Sequence, residues 1–378
     1  MARKVERSGR PAEAGGVRQV RGHAAARALL RSTDTVQAGL GVETMRRMPA
    51  RLRRPVLYRD GPEHREDRRR TARFFTPRRV DERYRDLMAE IADEQLTVLR
   101  RDGRAELSDL GFELSIGVTA AVIGLTGSRP GIRGRLERFF PDEFDSPGFT
   151  SVNGLRWAWR QSRNWGAIYL RDVAPAVRAR RRARRDDLIS HLLDDGCSGA
   201  EVLGECIAFA AAGMVTTREF VTLAAWHLLT DDELRCRYLD SEEPDRVALL
   251  HEILRLEPVI GRLRRRTTAT VDIPGQEPIP AGTVVELLLD EANADAAEVG
   301  AEPLELRPGR TISSGAAGLS FGDGAHKCPG AHLAVLETDV FLHRLLRLPV
   351  RMVRAPSVSF NEAISGYQIR GLVVALEP

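Results

Sequence analysis

The strongest chemical signal in this 378-residue chain is a cysteine held between glycines at the start of a helix, in the segment Leu319-Ser-Phe-Gly-Asp-Gly-Ala-His-Lys-Cys-Pro-Gly-Ala-His-Leu-Ala334. Backbone N–H groups and the helix dipole at such a position favour the thiolate of Cys328 over the thiol, and a thiolate is what an iron ligand needs. Gly322 and Gly324 permit a tight turn, and Gly330 lets the backbone approach a flat ligand closely. A lone cysteine is usually an inert buried thiol, and that is the reading for Cys197, Cys206 and Cys236. For Cys328 the spacing around it overturns that reading.

Positioning such a group takes helices, and helical periodicity dominates the chain. Glu82 to Arg101 is amphipathic, with Leu87, Ile91, Leu96 and Leu99 near one face. Leu107 to Leu125 is apolar nearly all round, the mark of a helix buried on most sides. Ser198 with Glu201 three residues on predicts a capping box opening a long helix to about Leu229. Asp231 to Leu239 and Asp245 to Leu256 read as further helices, the second stopping before Pro258, and Ala331 to Leu348 as another. Thr267 to Ile273, Ile279, Thr283 to Leu289 and Leu372 to Leu376 are short β-like runs. The fold class is mainly α with small sheets. Nothing looks like a linker, so residues 1–378 read as a single domain, with residues 1–20 a candidate disordered segment.

Composition narrows the function classes. The chain is 43% hydrophobic and 29% charged, with four unevenly spaced cysteines and no CxxC pair, which excludes a disulfide framework or a zinc site. The basic, Gly-rich stretch from Met1 to Gly22 has no apolar core, so neither a signal peptide nor a membrane anchor is expected, and the expected location is cytoplasmic. Net charge is +4, and the cations are almost all arginine, with Lys4 and Lys327 the only lysines. The dense runs Arg68–Arg70 with Arg73, Arg78 and Arg79, and Arg178–Arg185, read first as solvated helix faces and second as docking surface for an acidic protein. Nucleic-acid binding is not expected, because charge is low and no recognition motif with interleaved aromatics is present.

The string Phe321-Gly-x-Gly-x-His-x-Cys-x-Gly330 resembles the haem-binding loop of the cytochrome P450 family. The resemblance implies the P450 fold, with haem b between a long oxygen-activating helix and the Cys-bearing helix. It makes Cys328 the proximal iron ligand, places Phe321 beside the thiolate and puts His326 on a haem propionate. Further matches run in the family's order from about residue 58 to 334. Glu252-x-x-Arg255, with Arg310 of Leu306-Arg-Pro-Gly-Arg310, matches a structural network that braces the proximal side. His64 and Arg68 match a propionate-gripping pair, and Arg266 another propionate ligand, although Arg264 and Arg265 leave its register open.

Ala211-Ala-Gly-Met-Val-Thr-Thr217 resembles the oxygen-activating segment, in which Ala212, Gly213 and Thr216 match and Val215 stands where the family carries an acid. Glu219, one turn on, is either a substitute that relays protons through water or the partner of Arg218 or another arginine. By the same analogy the substrate pocket is lined by about Val36–Arg54, Phe149–Tyr169, Phe209–Thr217, Val259–Leu263 and Ile364–Gln368, including Trp157, Phe209, Ala212, Val215, Val259 and Ile260. Trp157, Trp159 and Trp165, with arginines between them, form either an amphipathic packing helix or a lid for an aromatic or anionic substrate.

The resemblance implies an O₂-dependent oxidoreductase of bacterial secondary metabolism acting on a small natural-product-like molecule. Electrons would come from an acidic ferredoxin and its reductase, since no flavin or nicotinamide domain fits beside this fold. The apolar Val215 raises a second reading, phenol or aryl coupling or oxidative rearrangement. A third, a non-catalytic recruitment protein of the same fold, is opposed by the intact Cys328, His326, Glu252, Arg255 and Thr216.

Overall fold

A computed structural model describes residues 3–4, 17–39, 41–42, 45, 53–139, 152–273, 276–361 and 365–377. Leaving aside single-turn pieces, the helices are α1 (His23–Arg31), α2 (Gly61–Thr71), α3 (Pro77–Asp102), α4 (Leu107–Ile123), α5 (Ile132–Phe139), α6 (Val152–Ile168), α7 (Ala174–Arg182), α8 (Leu188–Asp194), α9 (Gly199–Thr230), α10 (Asp232–Asp240), α11 (Glu243–Leu256) and α12 (Ala331–Leu345). The strands are β1 (Arg18–Val20), β2 (Thr35–Ala38), β3 (Arg104–Glu106), β4 (Arg262–Thr267), β5 (Val284–Leu288), β6 (Val350–Arg354), β7 (Ser357–Asn361), β8 (Gly366–Arg370) and β9 (Val373–Leu376). They form sheets ordered β1-β5-β4-β2, β3-β9-β6 and β7-β8. All pairs are antiparallel except β1 with β5. Residues 18–20, the end of the segment read as disordered, are thus paired in a sheet.

Local chemistry sets the helix ends. The Thr76 hydroxyl accepts the Arg79 N–H at 3.4 Å, Pro77 supplies the fixed φ of a first turn, and Gly103 stops α3 at φ 70°. α3 therefore begins before the sequence pattern suggested. Its buried stripe is Val80, Tyr84, Met88, Ala92, Leu96 and Leu99, while Leu87 and Ile91 lie half-buried on its flank. The Ser198–Glu201 capping box opens α9: the Ser198 Oγ accepts from Glu201 N at 3.4 Å, and the Glu201 carboxylate accepts from Ser198 N at 2.8 Å.

The centre of the molecule is a helical layer. α3 packs on α4 and α12, and the C-terminal half of α9 packs on α4, α11 and α12. α12 is buried on all sides from Val335 to Leu342, which ties it rigidly to α3 and α9. A second, smaller core joins α1 to the sheet of β1, β4 and β5 through Leu29, Leu30, Val285, Leu287 and Leu319. The strand expected at Thr267 to Ile273 is displaced: β4 is Arg262–Thr267, and the later stretch makes only a single bridge, Val271 to Ile279. The run Leu372 to Leu376 finds its partners at long range, between β3 and β6.

Candidate active site

The Cys328 loop is held by its own backbone. Cys328 N donates to Phe321 O at 2.8 Å, and Gly322 and Gly324 take φ of 67°, a left-handed conformation that a side chain would strain. At Gly324 there is also no room, because an added Cβ would collide with the Leu30 carbonyl oxygen of α1. Gly330 caps α12, and its N–H donates to the Cys328 sulfur. Burial among protein atoms pushes the Cys328 thiol up, while the Gly330 N–H and the Arg68 charge pull it down. Its surface is nevertheless exposed. Of the other cysteines, Cys197 and Cys206 are buried as expected, but Cys236 is exposed, because it lies on the outer face of α10.

α9 presents the other unusual surface. Its middle, Ala211–Val215, is a π-helical turn, and the Thr216 hydroxyl donates to the Ala212 carbonyl at 2.6 Å. Ala212 is exposed and Phe209, Gly213 and Thr216 are half-buried, in a helix that is otherwise largely core. These four residues share one face. Gly213 is required by its neighbour, since a Cβ there would stand 2.9 Å from the Thr119 hydroxyl of α4. Phe209 stacks on Phe75 with centroids 5.7 Å apart. Met214 O accepts from the Ser115 hydroxyl at 3.2 Å, which satisfies a carbonyl loosened by the π turn.

A third constellation gathers imidazoles and guanidiniums beside the Cys328 loop. His64 and His326 stack with ring centroids 4.0 Å apart, and His326 Nε2 lies 3.0 Å from Asp60 Oδ1. Burial, reinforced by the charges of His326 and Arg68, lowers His64 to about 4. Burial likewise lowers His326 against the pull of Asp60. Burial favours the neutral Asp60 acid, but the His326 hydrogen bond, the Gln37 N–H and the Arg265 charge outweigh it, and the carboxyl lies below its ordinary value. Arg68 donates to the Lys327 carbonyl.

The arginine of β4 that joins this cluster is Arg265, not Arg266. Strand alternation puts Leu263 and Arg265 on one face, where Leu263 meets Gly322 and Arg265 donates to Gln37 Oε1. Arg266 points the other way and donates to Gly282 O at 3.1 Å. Burial lowers Arg265 to about 10, with Asp60 opposing. The strand opens Arg262-Leu-Arg-Arg-Arg266, four arginines before any β-branched residue, and that start hid the alternation.

Glu219 takes the partner role rather than the relay. It is fully buried, receives Arg370 at 2.7 Å and Arg218 at 3.1 Å, and accepts the Ile369 N–H at 2.8 Å, so its carboxylate is sealed away from the Thr216 face. Val215 is buried and apolar. Glu252 receives Arg255 at 2.7 Å and Arg310 at 3.1 Å, and Arg255 also donates to the carbonyls of Asn293 and Pro303 at 2.8 Å. That network stitches α11 to the loop leading to Cys328.

Of the pocket residues, Val259 is buried and Ile260 half-buried, and Ile260 bridges to Gly366 of β8. Trp157 is half-buried, Trp165 packs edge-on against Phe139 at 5.3 Å, and Trp159 is 63% exposed with Arg163 over its ring at 4.7 Å. Residues 40, 43–44, 46–52, 149–151 and 364 of the expected lining lie outside the described residues.

These features fit a planar group bearing a metal and two carboxylates. Ala212 of α9 and Cys328 are both exposed, α9 packs on α12 just beyond Cys328, and His64 Nδ1 is buried without a hydrogen-bond partner. Cys328 would hold the iron. Arg68, Arg265, His64 and His326 would be the donors for its propionates. Bound haem supplies the iron on which O₂ is activated.

The cytochrome P450 family profile matches residues 247–348. Among curated relatives, erythromycin C-12 hydroxylase of Saccharopolyspora erythraea is 32% identical over 301 residues, spanning 76% of this chain and 71% of that protein. Pentalenic acid synthase of Streptomyces avermitilis is 30% identical over 356 residues, spanning 89% and 82%. A solved structure of a mutant P450 EryK with erythromycin B superposes with a TM-score of 0.74 at 25% identity, covering 95% of this chain and 90% of that one. With the thiolate loop, the loosened oxygen helix and these relatives in agreement, the chain belongs to the cytochrome P450 family of haem b-binding, cysteine-ligated monooxygenases.

Proposed function

We propose that this P450 oxidises a small natural-product-like molecule in bacterial secondary metabolism, with electrons from an acidic ferredoxin and its reductase, as one cytoplasmic domain. The observation that carries the oxidative reading is the Thr216 hydroxyl bound to the Ala212 carbonyl in a π turn, on the exposed face of a core helix. In that position Thr216 orients oxygen and passes protons, Gly213 and Ala212 leave room, and Phe209 bounds the substrate side. The relatives named erythromycin C-12 hydroxylase and pentalenic acid synthase support a substrate of this class. Arg73, Arg78, Arg79 and Arg83, at and just before the start of α3, line a groove around Thr76, and this basic surface suits an acidic donor.

The reading is tested by a carbon monoxide difference spectrum of reduced protein, followed by product mass with candidate macrolide and terpenoid substrates. A thiolate-type band and a product heavier by one oxygen support it. Absence of that band, or its survival in Cys328→Ala, removes it. Coupling or rearrangement is the second reading, favoured by the apolar Val215 and the sealed Glu219, and it predicts products without added oxygen.

A further inference from the structure

Residues 53–55 belong to no helix or strand, yet they and Val56 lie along the first turns of α9 and touch it three times in register. Arg53 N donates to Glu201 Oε1 at 3.0 Å. The Pro55 ring fills the space left by Gly204, where an added Cβ would stand 3.3 Å from it. Val56 N donates to Glu205, whose oxygens lie 2.9 and 3.2 Å away. Glu205 precedes Phe209 by four residues and Ala212 by seven, the spacing of one helical face, and it stands about 10 Å along the axis from Ala212. A small cavity at the crossing is lined by Val56, Arg59, Asp67, Glu205 and Phe209, among others.

Glu205 is 4% exposed, and its surroundings do not call for its charge. Arg53 and Arg59 both bind Asp67 of α2, and Arg53 also meets the Cys197 sulfur at 3.3 Å. Arg59 reaches Glu205 only at 3.5 Å. The Ser198 N–H holds Glu201 below its ordinary value, so Asp67 and Glu201 already balance the two guanidiniums. From α8, His191 faces Asp195 at 3.7 Å, and Asp195 also meets Arg70. Asp187 is bound by Arg180 of α7, and α4 has no ionisable side chain beyond Glu113. Burial pushes the Cys197 and Cys206 thiols up. Burial likewise lifts Glu205 to about 7, with the Val56 N–H, Arg59 and Arg53 opposing.

With residues 53–56 seated, Glu205 keeps a proton; with them lifted, water reaches the carboxyl, which ionises near its ordinary 4.5. The seated form thus holds a proton that the lifted form releases. Seating is favoured in full below about 4.5, and that advantage is lost as pH rises to about 7. We propose that residues 53–56 are a strap that Glu205 latches across the substrate side of α9, and that the latch loosens as the solution turns from acidic to alkaline, opening the end of that face beyond Phe209. The consequence for substrate rests on the P450 reading of α9, whereas the latch itself does not.

The test uses haem-loaded wild type, Glu205→Gln and Glu205→Asp. Hydrogen exchange of the amides of residues 53–58, corrected for the intrinsic rate at each pH, reads how often the strap lifts. Protection in the wild type is expected to fall at least about tenfold between pH 5.5 and 8, and to stay nearly level in Glu205→Gln. Association of metyrapone, a bulky neutral iron ligand followed by its spectral shift, is expected to speed up severalfold over the same range in the wild type only. Should Glu205→Gln not fold, Glu205→Asp carries the test: its shorter carboxyl falls short of Val56 N, and protection is expected to be low at every pH. Level protection in the wild type overturns the proposal, as does the same pH slope in Glu205→Gln, or wild-type protection in Glu205→Asp. Protection that falls while metyrapone association stays constant overturns it too, because the strap would then not bound the entrance. A carbon monoxide spectrum lacking the thiolate band would instead count against the haem reading, and the exchange data would still report on the latch.

Discussion

Arg265 and Arg266 are neighbours on β4 and face opposite sides of its sheet: the first is buried beside Gln37, Asp60 and the His64–His326 stack, the second reaches outward to the Gly282 carbonyl. Only a buried, fixed guanidinium strengthens a carboxylate contact appreciably, at about 1.5–3 kcal/mol per charged hydrogen bond. Arg265→Gln is therefore expected to weaken haem retention by roughly tenfold to a hundredfold, and Arg266→Gln to leave it unchanged. The haem-to-protein ratio after dialysis of each variant checks this, and equal losses in the two would refute the assignment.

How much of this site could be read from residues alone depended on whether a constraint was local. The Cys328 turn, the Ser198–Glu201 cap and the Glu252-x-x-Arg255 pair are written within a few residues, and the structure places them as their spacing implied. The Arg265 register was not legible, because four consecutive positions from 262 carry three arginines and a leucine, and only pairing with β2 and β5 decides which way each points. Glu219 was legible as a choice between two roles, and its partner Arg370 lies 151 residues away, beyond any pattern in α9.

Glu252 holds the most exposed-to-risk charge in the molecule. Arg255 is fully buried, and Glu252 is its only anionic partner among the described residues. Glu252→Ala leaves that guanidinium uncompensated, which costs about 3–5 kcal/mol. Urea unfolding of the variant should show a loss of this size or a failure to fold. A loss below about 1 kcal/mol would mean that the carbonyls of Asn293, Pro303 and Glu305 suffice for Arg255.

Stability should fall as pH rises from mildly acidic to alkaline. Burial lifts Glu205 to about 7, despite the Val56 N–H at 2.9 Å and the charges of Arg59 and Arg53, and it lifts Glu337 to about 8. Both values exceed the ordinary 4.5, so the folded chain holds two protons that the unfolded chain releases. Their contribution is complete below about 4.5 and is lost as pH passes 7 and then 8, amounting to at most about 8 kcal/mol between them. Urea midpoints across this range should decline in the wild type and decline less in Glu205→Gln and in Glu337→Gln. Parallel curves would show that neither carboxyl is raised.

Association with an acidic ferredoxin should depend on salt. Arg69 and Arg70 are partly spent on Glu66, Arg78 on Glu82 and Arg79 on Asp186, but with Arg73 and Arg83 the groove around Thr76 keeps a surplus of positive charge. Exposed charges of this kind steer encounter and are screened over about 8 Å at physiological ionic strength. Under ferredoxin-limited conditions the rate should drop severalfold between low and high salt, and Arg73→Ala with Arg83→Ala should flatten that dependence. A salt-insensitive rate would remove this surface from electron delivery.

Thr216 and Glu219 lie one turn apart on α9 and should fail in different ways. The Thr216 hydroxyl, on the open face, is tied only to the Ala212 carbonyl of its own helix, so Thr216→Ala should leave folding intact to within about 0.5–1.5 kcal/mol, the worth of one hydrogen bond. Its product yield per electron should nonetheless fall by roughly tenfold or more, because an ordered hydroxyl that handles protons is gone. Glu219 joins α9 to β8 through Arg370 and the Ile369 N–H, so Glu219→Gln should lower the unfolding midpoint and loosen substrate binding near β8 while coupling stays near the wild-type value. Peroxide release per electron, measured beside urea midpoints for both variants, separates the two. Should Glu219→Gln uncouple the enzyme as strongly as Thr216→Ala while remaining stable, the sealed carboxylate would after all be part of the proton route.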